Sequence, residues 1–224
     1  MMSNLFSIFD PCTSLFYQMN WFSSMTNLLL LPSLYWLLNS RIIMLINFIF
    51  FKLFNELKMI MLNKFNMINL IFFYTIFFLI LFNNFMGLFP YIFTNSSHMI
   101  FSLSFSLPMW ISLMLFILFN NLNYFFSHLI PQGTPFILMP FMVLIETISN
   151  IIRPGTLVVR LTANMIAGHL LLTLMSSSVY TLSLYFTIII LFLQNFLMFL
   201  EFSVSIIQSY VFIILSTLYS KETN

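Results

Sequence analysis

The chain alternates long apolar runs with short polar breaks. A hydrocarbon core of ~30 Å is crossed by a helix of ~20 apolar residues, and five runs reach that length. They are residues 15–38, interrupted by Pro32; 67–89; 99–119, with Pro108 inside; 136–174; and 180–218. Prolines are tolerated in membrane helices where neighbouring groups satisfy the freed carbonyls. The last two runs have 39 residues each. As helices they would be ~58 Å long, nearly twice the core thickness, and tilts of up to ~40° do not absorb that excess. The pattern therefore predicts a long, strongly oblique hairpin that turns near Ser176, Ser177 and Ser178.

Residues 41–66 follow a different rhythm. At the 3.6-residue period, Arg41, Lys52, Asn55, Glu56, Asn63 and Asn66 fall within about 100° of one another, and Ile, Phe, Leu and Met fill the rest. This predicts an amphipathic helix lying in the interface. Asn47, Lys58 and Lys64 fall outside the polar arc. The expected fold is thus an all-α integral membrane protein, with five membrane-embedded helices plus one amphipathic interfacial helix in a single membrane domain. Residues 1–66 carry the first span and the interfacial helix, 67–122 carry two spans, and 135–218 form the tilted hairpin.

Composition agrees with that reading. The chain is 61% hydrophobic and 5% charged, against about 25% charged in soluble domains. A net charge of +2 gives no footprint for nucleic acid. Cys12, the single cysteine, excludes an intramolecular disulfide and a cysteine-based metal cluster. Three scattered histidines do not supply the facing pairs that a di-haem membrane protein needs. No phosphate-cradling glycine loop is present, and no cofactor or metal is expected. Arg41, Lys52, Lys58 and Lys64 place the amphipathic helix on the negative side of the membrane by the positive-inside rule. Five spans then put the N-terminus on the far side and Lys221 on the same side as that helix.

Ionisable side chains within the apolar runs are functional candidates, because keeping them there is costly. Glu146, Arg153, Arg160, His169 and Glu201 all stand in the two longest runs. Glu146, Arg153 and Arg160 recur every seven residues and so return to nearly one face. Thr156, Ala163, Asn164 and Ala167 share it, which sets Arg160 in a strip of small residues that another helix can approach closely. A buried arginine on such a strip suggests a partner bearing a carboxylate. Gln194, Glu201 and Gln208 repeat the spacing in the last run, with Ser205 between. His169 lies about 180° around the helix from Arg160 and must face a different space. Plainer readings stand beside these: a local ion pair or interfacial snorkelling for Glu146 and Arg153, packing for Gln194, a satisfied polar pair for His169 and Glu201, and interfacial positions for His98 and His128. The sequon at Asn95 reads as chance.

Several segments then carry a resemblance. The run Arg160-Leu161-Thr162-Ala163-Asn164-Met165-Ile166-Ala167-Gly168-His169 resembles the signature of ATP synthase subunit a. Residues 81–90 (LFNNFMGLFP), 131–135 (PQGTP) and 208–212 (QSYVF) match the same family with compatible spacing. His169 and Glu201 stand where bacterial relatives typically carry Glu and His, so this is the swapped, mitochondrial arrangement. The resemblance implies a non-catalytic, proton-translocating stator subunit in the mitochondrial inner membrane. Its implied partners are the rotating c-ring, peripheral-stalk and small membrane subunits, protons and the bilayer. It implies that Arg160 faces the rotor, with Asn164 and Gln208 as polar neighbours. His169 and Glu201 would lie on the intermembrane-space path, and Glu146 at the matrix-side exit with Arg153 as its modulator. The N-terminus lacks the basic residues of a secretory or transit signal, which fits synthesis within the organelle. A different ion-transporter subunit would need further buried acids or lysines, and residues 99–119 hold none. A purely structural anchor would leave the Arg160 strip without a purpose.

Overall fold

The computed structural model describes residues 5–14, 17–26, 38, 40–61, 67–130, 133–179 and 183–222. Every regular element among them is helical. After two short 3-10 turns at Leu5–Phe9 and Met19–Phe22 comes a single helical turn, α1 (Ser23–Thr26), and then α2 (Arg41–Ile60), α3 (Met67–Gly87), α4 (Met99–Asn120), α5 (Leu122–His128), α6 (Met139–Ser178) and α7 (Leu184–Glu222).

Four helices are long and apolar enough to cross a membrane: Asn69–Gly87, Met99–Asn120, Phe136–Ser178 and Tyr185–Lys221. They coincide with four of the five expected spans. Most of the first expected span, residues 15–38, lies outside the described residues, as do the PQ of the PQGTP segment and the basic Lys64. The hairpin turn expected near Ser176, Ser177 and Ser178 falls where α6 ends, at Ser178, and residues 180–182 that follow lie outside the described residues. Helix α6 continues through the three serines because each hydroxyl folds back onto its own helix. Ser176, Ser177 and Ser178 donate to the carbonyls of Thr173, Leu174 and Met175 at 2.9, 2.8 and 2.7 Å. Bonded this way, the first two serines do not end the helix, which stops at Ser178. Pro154 does not end α6 either, since the helix runs unbroken past it.

Helix α7 is the axis of the fold. It packs against α3 and α6, and α6 packs in turn against α4. Its inward face is small: Ser205, Ser209, Ser216, Thr217 and Ser220 are all buried. Small residues let helices approach closely where no hydrophobic effect drives them together. Most of the larger apolar groups come from the neighbours, with Phe212 and Ile213 added by α7 itself. Leu70, Phe73, Ile76, Phe77 and Ile80 of α3 meet Met109, Leu157, Leu161, Phe212 and Ile213 in one core.

Helix α2 starts at a capped end, where the Ser40 hydroxyl accepts from the Ile43 N–H at 3.4 Å. It buries Leu57 and the following Met61 in that core, packs Leu53 and Phe54 against it, and sets the Phe50 and Phe54 rings on Tyr74 and Phe78 of α3. Ile42, Met44, Phe48, Phe51 and Met59 point outward from the protein, as an interfacial helix requires. Its far end is tied down by Tyr210, whose hydroxyl donates to Glu56 Oε2 at 3.1 Å, and by Ser220, whose hydroxyl donates to Met61 Sδ at 3.3 Å.

Between α3 and α4 the chain turns back on itself. Asn95–Ser97 form a buried 3-10 turn against α3, α4 and α6. Gly87 makes room for it: a Cβ there would sit 3.3 Å from Thr94 Cγ2. Asn95 is 3% exposed, so the sequon is sealed within the fold.

Candidate functional site

Helix α6 has two faces of opposite character. Pro154, Leu157, Val158, Leu161, Thr162 and Met165 are buried against the rest of the fold. Gly155, Thr156, Arg160, Ala163, Asn164 and Ala167 form the outward strip and are exposed. Among the described residues no carboxylate pairs with Arg160. A permanent cation on the outside of an apolar helix, flanked by residues with almost no side chain, is a surface built for close approach by another helix.

His169 lies on the inward side, as its 180° offset from Arg160 requires. Its Nε2 is buried and has no hydrogen-bond partner among the described residues, and both carboxylate oxygens of Glu201 are in the same condition. The two residues come from facing helices whose register is fixed at Gly168. An ideal Cβ on Gly168 would stand 2.7 Å from Glu201 Oε1 and 2.9 Å from its Cδ. No residue larger than glycine leaves that carboxylate where it is. An antiparallel hairpin in this register brings half-buried Gln208 level with Arg160 and Asn164.

An open cavity of about 1150 Å³ leads to this place from the N-terminal side. Asp10, Asn20, Ser23, Thr26, Thr94, His169, Gln194 and Asn195 give it polar walls among its apolar ones. The N-terminal segment forms one side, with the Phe9 ring edge-on to His169 at 6.4 Å between centroids.

Three further polar groups were not singled out from the sequence. The Asn84 amide, Asn95 Oδ1 and Ser96 Oγ are buried without hydrogen-bond partners among the described residues. The Asn95–Ser97 turn that carries two of them packs on both α3 and α6. The one signal that could have found them is the pair Asn83-Asn84 within an apolar run. His98, expected at an interface, has its ring 5.2 Å from Trp21 and a buried, unpartnered Nε2. The side chain of His128 lies outside the described residues.

The other arm of α6 carries an ion pair, Arg153 Nη2 to Glu146 Oε1 at 3.9 Å, with both side chains about one-third exposed. Arg153 also stacks on the Tyr219 ring at 5.2 Å, a cation–π contact with α7. Along α6, then, Glu146 and Arg153 mark one end, His169 and Glu201 the other, and Arg160 stands between them on the opposite face from His169.

The ATP synthase A chain profile matches residues 15–221. The chain belongs to the ATP synthase A chain family. It is 53% identical to ATP synthase subunit a of Drosophila melanogaster over 224 residues, covering 100% of both chains. The Locusta migratoria subunit a is 56% identical over 99% of both, and that of Anopheles gambiae is 51% identical over 100% of both.

Proposed function

We propose that this chain is the stator half of a proton-driven rotary motor in the mitochondrial inner membrane, with Arg160 facing the carboxylates of a ring of small subunits. The observation that carries this reading is the outward strip: a guanidinium with no carboxylate partner among the described residues, bordered by Thr156, Ala163, Asn164 and Ala167. A proton taken up on the intermembrane-space side passes the large cavity to Glu201 and His169 and neutralises a ring carboxylate. The neutral ring site then crosses lipid. After nearly a full turn it releases its proton past Glu146, whose charge Arg153 modulates.

Arg160 separates the two half-channels. Opposite charge favours the ionised ring carboxylate as it passes. Arginine suits the position because guanidinium keeps its charge when buried, whereas lysine gives up its proton. Gln208 and Asn164 line the same contact. Each proton supplies about 2.3 kcal/mol per 100 mV.

In this reading residues 15–38 form a fifth span, α2 lies on the matrix side and so does the C-terminus. The long hairpin lies at about 60° to the membrane normal, since ~58 Å of helix has to fit a ~30 Å core. The c-ring, peripheral-stalk subunits and small membrane subunits are the partners.

Substitution of Arg160 by Ala tests the reading. The complex is expected to assemble with the variant and to lose proton-driven ATP synthesis entirely. Coupled synthesis retained in an assembled Arg160→Ala complex would remove Arg160 from this role.

A further inference from the structure

The large cavity at His169 differs in chemistry between its floor and its rim. Thr94 and Leu172 are buried and His169 and Gln194 half-buried, whereas Ser7, Asp10, Cys12 and Tyr91 are exposed. Among the described residues Asp10 is the only carboxylate on the wall, and no lysine or arginine lines it. The other titratable groups that face the cavity are the Cys12 thiol, the Tyr91 hydroxyl and the His169 imidazole. None of these brings a negative charge of the Asp10 kind to the rim at neutral pH.

Asp10 is also held in place. Its N–H donates to the Ser7 carbonyl at 3.3 Å, which closes the first 3-10 turn. Its Oδ1 accepts from the Cys12 N–H at 3.1 Å, and its carbonyl accepts from the Asn20 side-chain amide at 3.2 Å. The segment that follows is tied to the connection between α3 and α4. The Ser23 hydroxyl donates to the Phe93 carbonyl at 3.2 Å, and the Trp21 ring stands edge-on to Phe93 at 6.0 Å between centroids. Phe9, the residue before Asp10, is the one edge-on to His169. The N-terminal segment thus fixes an acid at the outer end of the space whose inner end is His169. A water fills roughly 30 Å³ in the liquid, so about 1150 Å³ has room for a continuous body of water between the two. Leu88, Leu172 and Met198 give that space apolar walls, and a charge at the mouth of a cleft with low-dielectric walls focuses its field and raises the local concentration of counter-ions.

We propose that Asp10 is the proton-collecting residue of this cavity, drawing protons to its mouth and passing them to the water inside. The proposal rests on the intake role given to the cavity above. The carboxylate takes a proton from hydronium outside, leaving water, and gives it to a water of the cavity, which returns Asp10 to its anionic form. From there the proton goes on to Glu201 and His169. Asp10 acts by supply and not by contact with that pair. Free protons are scarce at neutral pH, so capture at the mouth is the step at which a fixed anion helps most.

Asp10→Asn tests this, because asparagine keeps the size and the oxygen that accepts from the Cys12 N–H and removes only the charge. Proton-driven ATP synthesis by assembled complexes in vesicles is measured at fixed proton-motive force while pH and salt are varied on the intake side. At neutral pH and about 10 mM salt the variant is expected to run about three- to tenfold slower than the wild type, the low end of what a charged cleft adds to on-rates. Salt at about 0.3 M, which shortens the screening length from ~30 Å to under ~10 Å, should slow the wild type and leave Asp10→Asn unchanged. The deficit should shrink as the intake side is acidified, and Asp10→Glu should restore both rate and salt dependence. An Asp10→Asn rate equal to the wild type at low salt and neutral pH overturns the proposal. So does a deficit that stays the same at every pH and salt concentration, which is the mark of a merely structural role. With Arg160→Ala inactive in the same assay, either result leaves the motor reading standing; synthesis retained in Arg160→Ala would overturn that reading instead.

Discussion

Gly168 is where a single hydrogen in place of a methyl decides the position of an acid. With Glu201 Oε1 2.7 Å from where a Cβ would stand, Gly168→Ala must push the carboxylate aside. Its Cγ, at 3.1 Å, must move too, so rotation at the tip of the side chain does not relieve the clash. On the proposed mechanism this variant assembles and slows proton flux through the reconstituted complex by about tenfold or more, the range in which misplaced proton-transfer groups act. Flux at the normal rate would mean that the carboxylate need not stand there. Glu201→Gln keeps the shape and removes the exchangeable charge, and it should slow flux at least as much. Normal flux with intact assembly would reduce Glu201 to packing. These residues were legible from sequence because charge is rare in apolar runs. Asn84, Asn95 and Ser96 were not, because amides and hydroxyls are common at span ends and only the folded chain shows theirs buried without partners.

At the scale of elements, the hydrophobic pattern located α3, α4, α6 and α7 closely, because a bilayer-length apolar run has few ways to satisfy its backbone other than as a helix. It could not locate the 3-10 turn at Asn95–Ser97 or the short α5, whose existence depends on contacts between distant segments. The serine run did mark the end of α6, which stops at Ser178, although the three hydroxyls bond the helix's own carbonyls rather than forming a loop. Helix α2 shows how weakly an interfacial helix is held. Apart from Leu57 and Met61, its attachment to α7 is the Tyr210–Glu56 hydrogen bond. Removing that bond in Tyr210→Phe costs about 1 kcal/mol, which is roughly fivefold in a local opening equilibrium. Amide exchange over Lys52–Ile60 should therefore quicken by about that factor in the variant. Unaltered exchange would assign the docking of α2 to its apolar contacts, Leu57 and Met61 in the core and the Phe50 and Phe54 rings on α3.

The whole molecule is organised around two surfaces of one long helix. Facing inward, α6 meets α4 and α7, and the polar stations near His169 and near Arg153 lie at separate levels with different cavities beside them. Facing outward, it offers Arg160 and a band of small residues to something outside the chain. The seven-residue spacing set Arg153 on the face of Arg160, whereas Arg153 is half-buried over the Tyr219 ring of α7 and Arg160 is exposed; the level at which α7 crosses comes from Gly168 against Glu201. The account stands on the outward guanidinium meeting an acid from another subunit. The most direct measurement is a density map of the complete synthase in lipid that resolves side chains along α6. It should show a carboxylate of the small-subunit ring within about 4–6 Å of the Arg160 guanidinium, the range in which opposite charge governs protonation. A map with lipid or bulk water against that guanidinium, and the ring packed on another face, would contradict the account.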